Sequence, residues 1–199
     1  YEKGEYAEAV ASLERAVELD GGYSKAYNNL GNACFAMSEY EEALEKYTRA
    51  IELGPEDEDK HINAGNCHFA LERYEEAIAE YTKALDINSM SAKAMNNIGA
   101  AYQKQGDIEK AREQYLEVLK INSRNVKATV NLGTIHYDNG QGDLAQAQEY
   151  YEKVLKWDRD NGLANYHLGL VLSAMGDFNK ALIYLKRAER AAPENTDVL

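Results

Sequence analysis

The amino-acid sequence predicts an all-α solenoid, built from antiparallel helix pairs that stack along the chain. Three observations predict it: residues recur at a period of 34, apolar residues within each period follow helical spacing, and no segment alternates like a strand. Only 2 prolines occur in 199 residues, so the commonest helix breaker is nearly absent. With 45% hydrophobic residues the chain can build a core.

Four columns of residues keep the 34-residue register along the chain. One column is glycine, one is alanine, and two are aromatic or aliphatic. Their members are Gly31, Gly65, Gly99, Gly133 and Gly169; Ala9, Ala43, Ala77, Ala111, Ala147 and Ala181; Tyr6, Tyr40, Tyr74, Ile108, Leu144 and Phe178; and Leu13, Tyr47, Tyr81, Tyr115, Tyr151 and Leu185. The later members lie two residues late because an extra pair falls around Gly140-Gln141-Gly142, which predicts a longer turn there.

Residues 24–57 show how one period becomes two helices. Apolar residues at helical spacing predict a first helix around Tyr27 to Met37 and a second around Tyr40 to Ile51. Gly54 should end the second helix with a left-handed cap, and Pro55 should prevent its continuation. The column glycines and alanines should let the paired helices approach closely, while the tyrosines fill wider gaps to the next repeat.

The same pattern divides the whole chain into a single array. We predict a half repeat, five full repeats and a tail, at residues 1–23, 24–57, 58–91, 92–125, 126–161, 162–195 and 196–199. The chain begins inside a repeat and ends soon after Pro193. Because each repeat buries its apolar face on a neighbour, we expect either a fragment of a longer protein or ends that pack on another surface.

These residues resemble the tetratricopeptide repeat, whose first helix carries an aromatic and Leu-Gly, and whose second carries Ala, an aromatic, Ala and a closing Pro. The match is carried by Tyr27, Leu30-Gly31, Ala43, Tyr47, Ala50 and Pro55. The terminating proline is kept only at Pro55 and Pro193, and His61 and Thr129 replace the first aromatic, which should loosen those helices slightly. The resemblance covers essentially all of the chain. It implies a right-handed superhelix of about five and a half repeats, with the first helices lining a concave groove.

The charge excludes a general nucleic-acid binder. The chain carries 34 acidic against 22 basic residues, a net charge of −12, whereas phosphate binding needs clustered Lys and Arg. The acidity falls mainly on second helices and turns, so it does not argue against an acidic peptide in the groove. The longest apolar run, Leu168 to Met175, is too short for a membrane span. Two cysteines give no disulfide framework, which fits a reducing compartment, and we expect a cytoplasmic protein.

No catalytic, cofactor or metal constellation is predicted. Gly140 to Ala145 matches G-x-G-x-x-A formally but lacks the preceding strand that a dinucleotide site needs. His61 and Cys67-His68 lack the paired spacing of zinc ligands. The run Glu56 to Asp59 lacks the alternation of a calcium loop and should instead supply acidic residues to a helix N-terminus. We therefore expect no enzyme and no cofactor.

One repeating pattern points beyond packing. Asn29, Asn63, Asn97 and Asn131, here called the asparagine ladder, recur every 34 residues off the apolar stripe of the first helices, and His167 takes the place in the last repeat. The resemblance places them along the groove. A carboxamide offers donors and an acceptor, so it can bind a peptide backbone regardless of sequence.

Neighbouring columns complete the predicted peptide site. Asn32 and Asn66 lie one turn beyond the ladder, Lys25, Lys93 and Lys127 lie one turn before it, and Phe35, Phe69 and Tyr137 could offer apolar pockets. The repeat arm of the O-linked N-acetylglucosamine transferase family carries a similar ladder.

A carboxylate clamp, as in chaperone-tail adaptors, is matched only in part. Asn32, Asn63 and Lys93 occupy three of its positions, but Asn28 and Asn97 stand where cations are expected. Because a carboxylate needs cations to be held strongly, clamp function is not predicted.

We therefore predict a non-catalytic scaffold that binds an extended peptide or helix of a partner, with an acidic or C-terminal group favoured. Two alternatives stay open. The chain could be a structural subunit that self-associates through its ends, or the substrate-recruiting arm of a larger enzyme or co-chaperone.

Overall fold

The computed structural model describes residues 3–138 and 142–191, with side chains from residue 10 onward in those ranges. Every regular element in the described residues is an α-helix, which confirms the all-α prediction. The helices are α1 (Lys3–Leu19), α2 (Ser24–Ala36), α3 (Tyr40–Leu53), α4 (Glu58–Ala70), α5 (Tyr74–Ile87), α6 (Ala92–Gln105), α7 (Ile108–Ile121), α8 (Val126–Asp138), α9 (Leu144–Trp157), α10 (Gly162–Ala174) and α11 (Phe178–Ala191). Gly140 and Gln141 of the expected long turn, Pro193 and the tail 196–199 lie outside the described residues.

The chain forms two compact units, an N-terminal unit of residues 1–111 and a C-terminal unit of residues 112–199. In the N-terminal unit α2 pairs with α3 and α4 with α5, while α3 also packs on α4 and α5 on α6. In the C-terminal unit α8 pairs with α9 and α10 with α11, and α9 packs on α10. Each unit is thus a succession of helix pairs that contact their sequence neighbours.

From α4 onward, the first helix of each repeat begins with a capping residue, and these residues lie at the same position of the repeat. The side chain accepts a hydrogen bond from a backbone N–H in the first turn, which satisfies a group that has no partner within the helix. These residues are Asp57, Ser91, Asn125 and Asn161. Glu58 and Asp59 follow Asp57 in the first turn of α4, as the sequence predicts for that acidic run.

The tyrosine column packs inside its own repeat as well as towards the next one. A methyl group built on Gly31 would lie 2.6 Å from the Tyr47 ring, and one on Gly133 would lie 2.7 Å from the Tyr151 ring. The Tyr47 ring also packs in one core cluster with Ala64 and Cys67 of the following repeat. The glycines therefore make room for a ring, rather than only for a close approach of two backbones.

The prediction of a left-handed cap at Gly54 is wrong. Gly54 has φ −169°, an extended conformation that any residue adopts. Among the described residues, left-handed backbone conformations occur instead at the turn between the two helices of a repeat, at the same position in each of four repeats. The residues that adopt them are Ser38, Glu72, Gly106 and Gly176. Pro55 follows the end of α3, so the helix stop itself lies where the sequence places it.

The two replacements of the first aromatic are buried and hydrogen-bonded. His61 Nδ1 lies 2.8 Å from Glu80 Oε2, and Thr129 Oγ1 donates to the backbone carbonyl of Asn125 at 2.8 Å. Each polar side chain thus has a partner in place of the aromatic contacts it replaces.

Candidate functional site

Three members of the asparagine ladder lie on successive first helices of the N-terminal unit. Asn29 on α2 is exposed, whereas Asn63 on α4 and Asn97 on α6 are half-buried. One turn further along their helices, Asn32 is exposed and Asn66 is half-buried. The carboxamides that the sequence places on one line are therefore at least partly open to solvent.

A buried tyrosine fixes the orientation of the second-column carboxamides. Tyr47 donates its hydroxyl hydrogen to Asn32 Oδ1 at 2.7 Å. Asn63 Nδ2, one repeat later, lies 3.4 Å from the same Asn32 oxygen and 3.3 Å from Asn28 Oδ1. The Asn32 oxygen is thus shared between a tyrosine of its own repeat and a ladder residue of the next.

The same arrangement recurs one repeat later. Tyr81 donates to Asn66 Oδ1 at 2.9 Å, and Asn97 Nδ2 donates to the same oxygen at 3.0 Å. We call Asn32, Asn63, Asn66 and Asn97, held by these two tyrosines, the carboxamide network. Successive first helices are therefore joined by side-chain amide hydrogen bonds.

The network leaves defined polar groups unused within the chain. The NH₂ groups of Asn32 and Asn66 and the Oδ1 atom of Asn63 make no hydrogen bond in the part of the chain that the structure describes. Because the opposite end of each amide is held, these donors and this acceptor have fixed orientations. A peptide backbone needs the same two complements, donors for its carbonyls and an acceptor for its N–H groups.

The tyrosine hydroxyls remain hydrogen donors at physiological pH. Burial raises the pKa of Tyr47 and of Tyr81 well above the ordinary value, and the nearby Cys67 thiol adds to the shift in both. Neither phenol therefore ionises near neutrality, and each keeps the proton that it donates to its asparagine.

The C-terminal unit holds Asn131 and His167 in related surroundings. Asn131 is half-buried and shares a side-chain hydrogen bond with Tyr115. Thr134 takes the position of Asn32 and lies 3.2 Å from the Tyr151 hydroxyl. The His167 ring stacks on the Tyr151 ring at 5.3 Å between centroids. Burial lowers the pKa of His167, so this ring is neutral at pH 7.

The predicted lysines are exposed and differ in their partners. Lys93 Nζ lies 2.7 Å from Asp59 Oδ1, one repeat earlier in the same column, and both side chains are more than half exposed. Lys25 makes no ion pair among the described residues, and Lys127 is exposed on α8 of the C-terminal unit. Since an exposed ion pair contributes at most about 1 kcal/mol, a carboxylate ligand could compete with Asp59 for Lys93.

The predicted aromatic residues are half-buried and pack within their own units. The Phe35 ring lies 5.2 Å from that of Tyr40, and the Phe69 ring lies 5.5 Å from that of Tyr74. Tyr137 packs against the core of the C-terminal unit. Only the uncovered part of each ring remains available to a ligand.

Sequence reasoning missed the role of the tyrosine column in this site. The signal was present, because Tyr47 and Tyr81 each follow an asparagine, Asn32 and Asn66, by 15 residues. From the sequence alone the tyrosines are interpreted as packing residues. The distance from the tyrosine hydroxyl to the asparagine amide depends on how the two helices of a repeat cross, which the sequence does not show.

A second grouping was also missed. The Cys34 thiol and the carboxylates of Glu39 and Glu42 lie within 4.8 Å of one another. Burial, and then the charge of Glu42, raise the pKa of the thiol, which disfavours the thiolate that a metal would need. One thiol beside two exposed acids is a common arrangement, and it defines no metal site.

None of the helices in residues 3–138 and 142–191 is long and apolar enough to cross a bilayer.

The succession of helix pairs and the asparagine ladder, which recurs with the same period, define a helical repeat protein. Models of the family described as tetratricopeptide repeat match residues 24–57 and 92–125 and residues 138–199, and one described as TPR repeat matches residues 1–38 and 65–106. The chain belongs to the tetratricopeptide repeat family.

Solved structures share this fold at low sequence identity. PilW, described as a widely conserved type IV pilus biogenesis factor, is 21% identical, with a TM-score of 0.82 over 98% of this chain and 90% of its own. The Pseudomonas aeruginosa pilF structure is 24% identical, with a TM-score of 0.75 over 88% of this chain and 79% of its own.

YrrB, described as a TPR protein with an unusual peptide-binding site, is 23% identical, with a TM-score of 0.61 over 94% of this chain and 95% of its own. No curated protein matches the chain. At these identities the likeness shows the fold alone.

Proposed function

We propose that the chain is a non-catalytic scaffold that binds an extended peptide segment of a partner protein along the first helices of its N-terminal unit. The carboxamide network carries this proposal. It holds amide groups in fixed orientations on successive repeats while leaving donors on Asn32 and Asn66 and an acceptor on Asn63 without an internal partner.

The spacing of the repeats supports an extended ligand. The side chains of successive first helices meet directly, with Asn63 Nδ2 3.4 Å from Asn32 Oδ1 and Asn97 Nδ2 3.0 Å from Asn66 Oδ1, so they lie within reach of one extended chain that rises about 3.3 Å per residue. Hydrogen bonds from successive repeats can therefore fall on one strand of peptide. Each such bond contributes about 0.5–1.5 kcal/mol net, so binding needs several of them.

The charge of this surface favours an acidic or C-terminal group in the ligand. Among the described residues Lys25 has no ion-pair partner, and Lys93 pairs with the exposed Asp59. The description of YrrB as carrying a peptide-binding site agrees with such a role for a related fold.

The proposal is tested by removing two ladder amides together. Peptides selected from a random library against the wild-type chain are measured by fluorescence polarisation against the variant Asn63→Ala/Asn97→Ala. We expect a loss of affinity of about tenfold or more, because the variant removes the Asn63 acceptor and also the two inter-repeat hydrogen bonds that orient the Asn32 and Asn66 amides.

The matched control is Asn179→Ala, which removes an exposed asparagine from α11, a second helix that carries no ladder residue. Its affinity should equal that of the wild type. Unchanged affinity in the double variant, with an intact helical circular-dichroism spectrum, would remove the ladder from the binding site.

A further inference from the structure

The outward side of α11 differs in charge from that of the earlier second helices. Four residues at positions i, i+3, i+4 and i+7 fall within an arc of about 100°, on the side of α11 away from the buried Ala181 and Ala188. These residues, here called the α11 face, are Ile183, Lys186, Arg187 and Arg190. The same positions on α3 hold Glu45, Thr48, Arg49 and Glu52. With three basic residues and no acidic one, the face carries +3 on α11; with two acidic residues and one basic, it carries −1 on α3.

The α11 face also exposes apolar surface. Ile183 is 52% exposed, at a position where Glu45 and Glu149 lie in earlier repeats. Leu182 and Phe178 of the same helix are also more than half exposed. Exposed apolar side chains that lie together and are bordered by charged groups are typical of an interaction surface.

The cations of the α11 face are not balanced by contacts within the described residues. Lys186 and Arg190 are exposed and make no ion pair with a described residue. The Arg187 guanidinium carbon lies 5.3 Å from the centre of the Tyr184 ring. The positive charge of this face is therefore available to an acidic partner.

The complementary charge lies in the N-terminal unit. Residues 1–111 hold 22 of the 34 acidic residues but only 11 of the 22 basic ones, a net charge of −11, whereas residues 112–199 carry −1. Six exposed carboxylates gather at the turns between the helices of two successive repeats and in the first turns of α3 and α5. They are Glu39, Glu41, Glu42, Glu72, Glu75 and Glu76, here called the acidic edge.

The two halves of the acidic edge are neighbours. Arg73 Nη2 lies 3.5 Å from Glu41 Oε1, one repeat earlier, which brings the two turns side by side. Arg73 is the one basic residue among residues 38–42 and 71–76. Four of the carboxylates make no ion pair with a described residue, namely Glu39, Glu42, Glu72 and Glu76. The edge therefore keeps most of its negative charge.

Aromatic rings lie within the same edge. Tyr40 begins α3 and Tyr74 begins α5, and each ring is half-buried beside the carboxylates. The acidic edge thus offers carboxylates and apolar surface together, which is the complement of a face that has cations and an exposed aliphatic side chain.

We propose that the α11 face of one copy binds the acidic edge of a second copy, so that copies of this chain associate head to tail. Lys186 and Arg190 pair with the carboxylates, and Ile183 packs on a tyrosine ring. Contact between two α11 faces is disfavoured, since each carries +3. Because the two surfaces differ, the contact is heterologous, and a third copy can add to the second.

The test is sedimentation velocity of the full chain over a range of concentrations. At about 50 mM salt the average mass should rise with concentration above that of a single chain, and at about 500 mM salt it should fall back, because exposed ion pairs are screened. A mass that stays that of a single chain, or association that salt does not weaken, overturns the proposal. Binding of the wild type to phosphatidylserine vesicles without self-association would assign the α11 face to a membrane, and would overturn it too.

Two charge-reversed variants each remove one side of the contact. Lys186→Glu/Arg190→Glu changes the α11 face, and Glu42→Lys/Glu76→Lys changes the acidic edge. Each variant alone should self-associate at least about tenfold more weakly, since attractions become repulsions. In a mixture, the intact edge of the first variant binds the intact α11 face of the second, so the mixture should form a dimer that grows no further. Absence of this dimer would show that the two surfaces do not meet.

The matched control is Lys156→Glu/Arg159→Glu, which makes the same change of charge at two exposed residues of the same unit. Its self-association should stay within about twofold of the wild type, because a distant exposed charge is screened. Equal weakening in the control and in the α11 variant, with intact circular-dichroism spectra, would trace the effect to net charge and overturn the proposal. The variant Asn63→Ala/Asn97→Ala should self-associate like the wild type, which keeps this outcome separate from that of the proposed peptide site.

Discussion

At the residue scale, two turns between the helices of a repeat hold residues with a Cβ in the left-handed backbone conformation that favours glycine. Ser38 has φ 65° and Glu72 has φ 59°, while glycine supplies the same left-handed conformation at Gly106 and Gly176. A side chain with a Cβ is disfavoured there, because the Cβ approaches the following carbonyl oxygen. The first two described turns thus carry strain that the glycine turns avoid.

Replacing Glu72 by glycine should stabilise the protein. We expect Glu72→Gly to raise the free energy of unfolding by about 0.5–1 kcal/mol, since relief of the left-handed strain exceeds the added entropy of the unfolded chain. Urea denaturation followed by circular dichroism measures it. Glu72→Ala is the matched control, because it removes the same carboxylate and keeps the strain. Equal stability of the two variants would contradict the explanation.

Residues of the candidate site depend on partners that are not their sequence neighbours. Asn32 and Asn66 accept hydrogen bonds from the tyrosine of the second helix and from the asparagine of the following repeat. The asparagine column itself was predictable from the period of 34. The orientation of each amide was not, because it follows from which donor reaches its oxygen.

At the element scale, three helix pairs (α2–α3, α4–α5 and α8–α9) pack a tyrosine ring of one helix against a glycine of the other, and in α10–α11 Leu185 takes the place of the ring against Gly169. The Tyr81 ring covers Gly65 so closely that a Cβ on Gly65 would overlap it. Tyr81 is buried, as are Ala77 and Ala84 on the same face of α5. The ring has no open space into which it could move, since interiors are close-packed.

Adding one methyl group at Gly65 should therefore destabilise the N-terminal unit. We expect Gly65→Ala to lower the free energy of unfolding by about 1–2 kcal/mol, because overpacking outweighs the better helix propensity of alanine. Thermal and urea unfolding measure the change. In the control Gly21→Ala, the new Cβ meets no atom closer than 3.9 Å, and stability should change by less than about 0.5 kcal/mol. A neutral Gly65→Ala would show that the pair tolerates a wider separation.

At the scale of the whole molecule, each compact unit has its own core. One cluster around Tyr151, Leu168 and Ala181 lies in the C-terminal unit, and others around Tyr47 and Tyr81 lie in the N-terminal unit. These described clusters share no residue. Stability in such arrays is approximately a sum of repeat and nearest-neighbour terms.

A large cavity in one unit should consequently loosen that unit first. Tyr151→Ala should cost about 3–5 kcal/mol locally and speed hydrogen exchange in α8 to α10, while exchange in α2 to α4 changes little. Hydrogen exchange read by mass spectrometry distinguishes the two regions. Equal acceleration throughout the chain would indicate that the protein unfolds as one cooperative body.

The sequence by itself determined the helical repeat, the positions of the helix pairs and the line of asparagines. Each of these follows from local spacing, because a period of 34 and a helical stripe are properties of neighbouring residues. Tertiary structure decided that tyrosine hydroxyls hold the asparagines and that the left-handed residues lie at the inner turns rather than at Gly54. It also decided that the Nδ1 atom of His68 is buried with no hydrogen-bond partner among the described residues. These features depend on distances of a few ångströms between helices, which are set by the packing of side chains from different repeats.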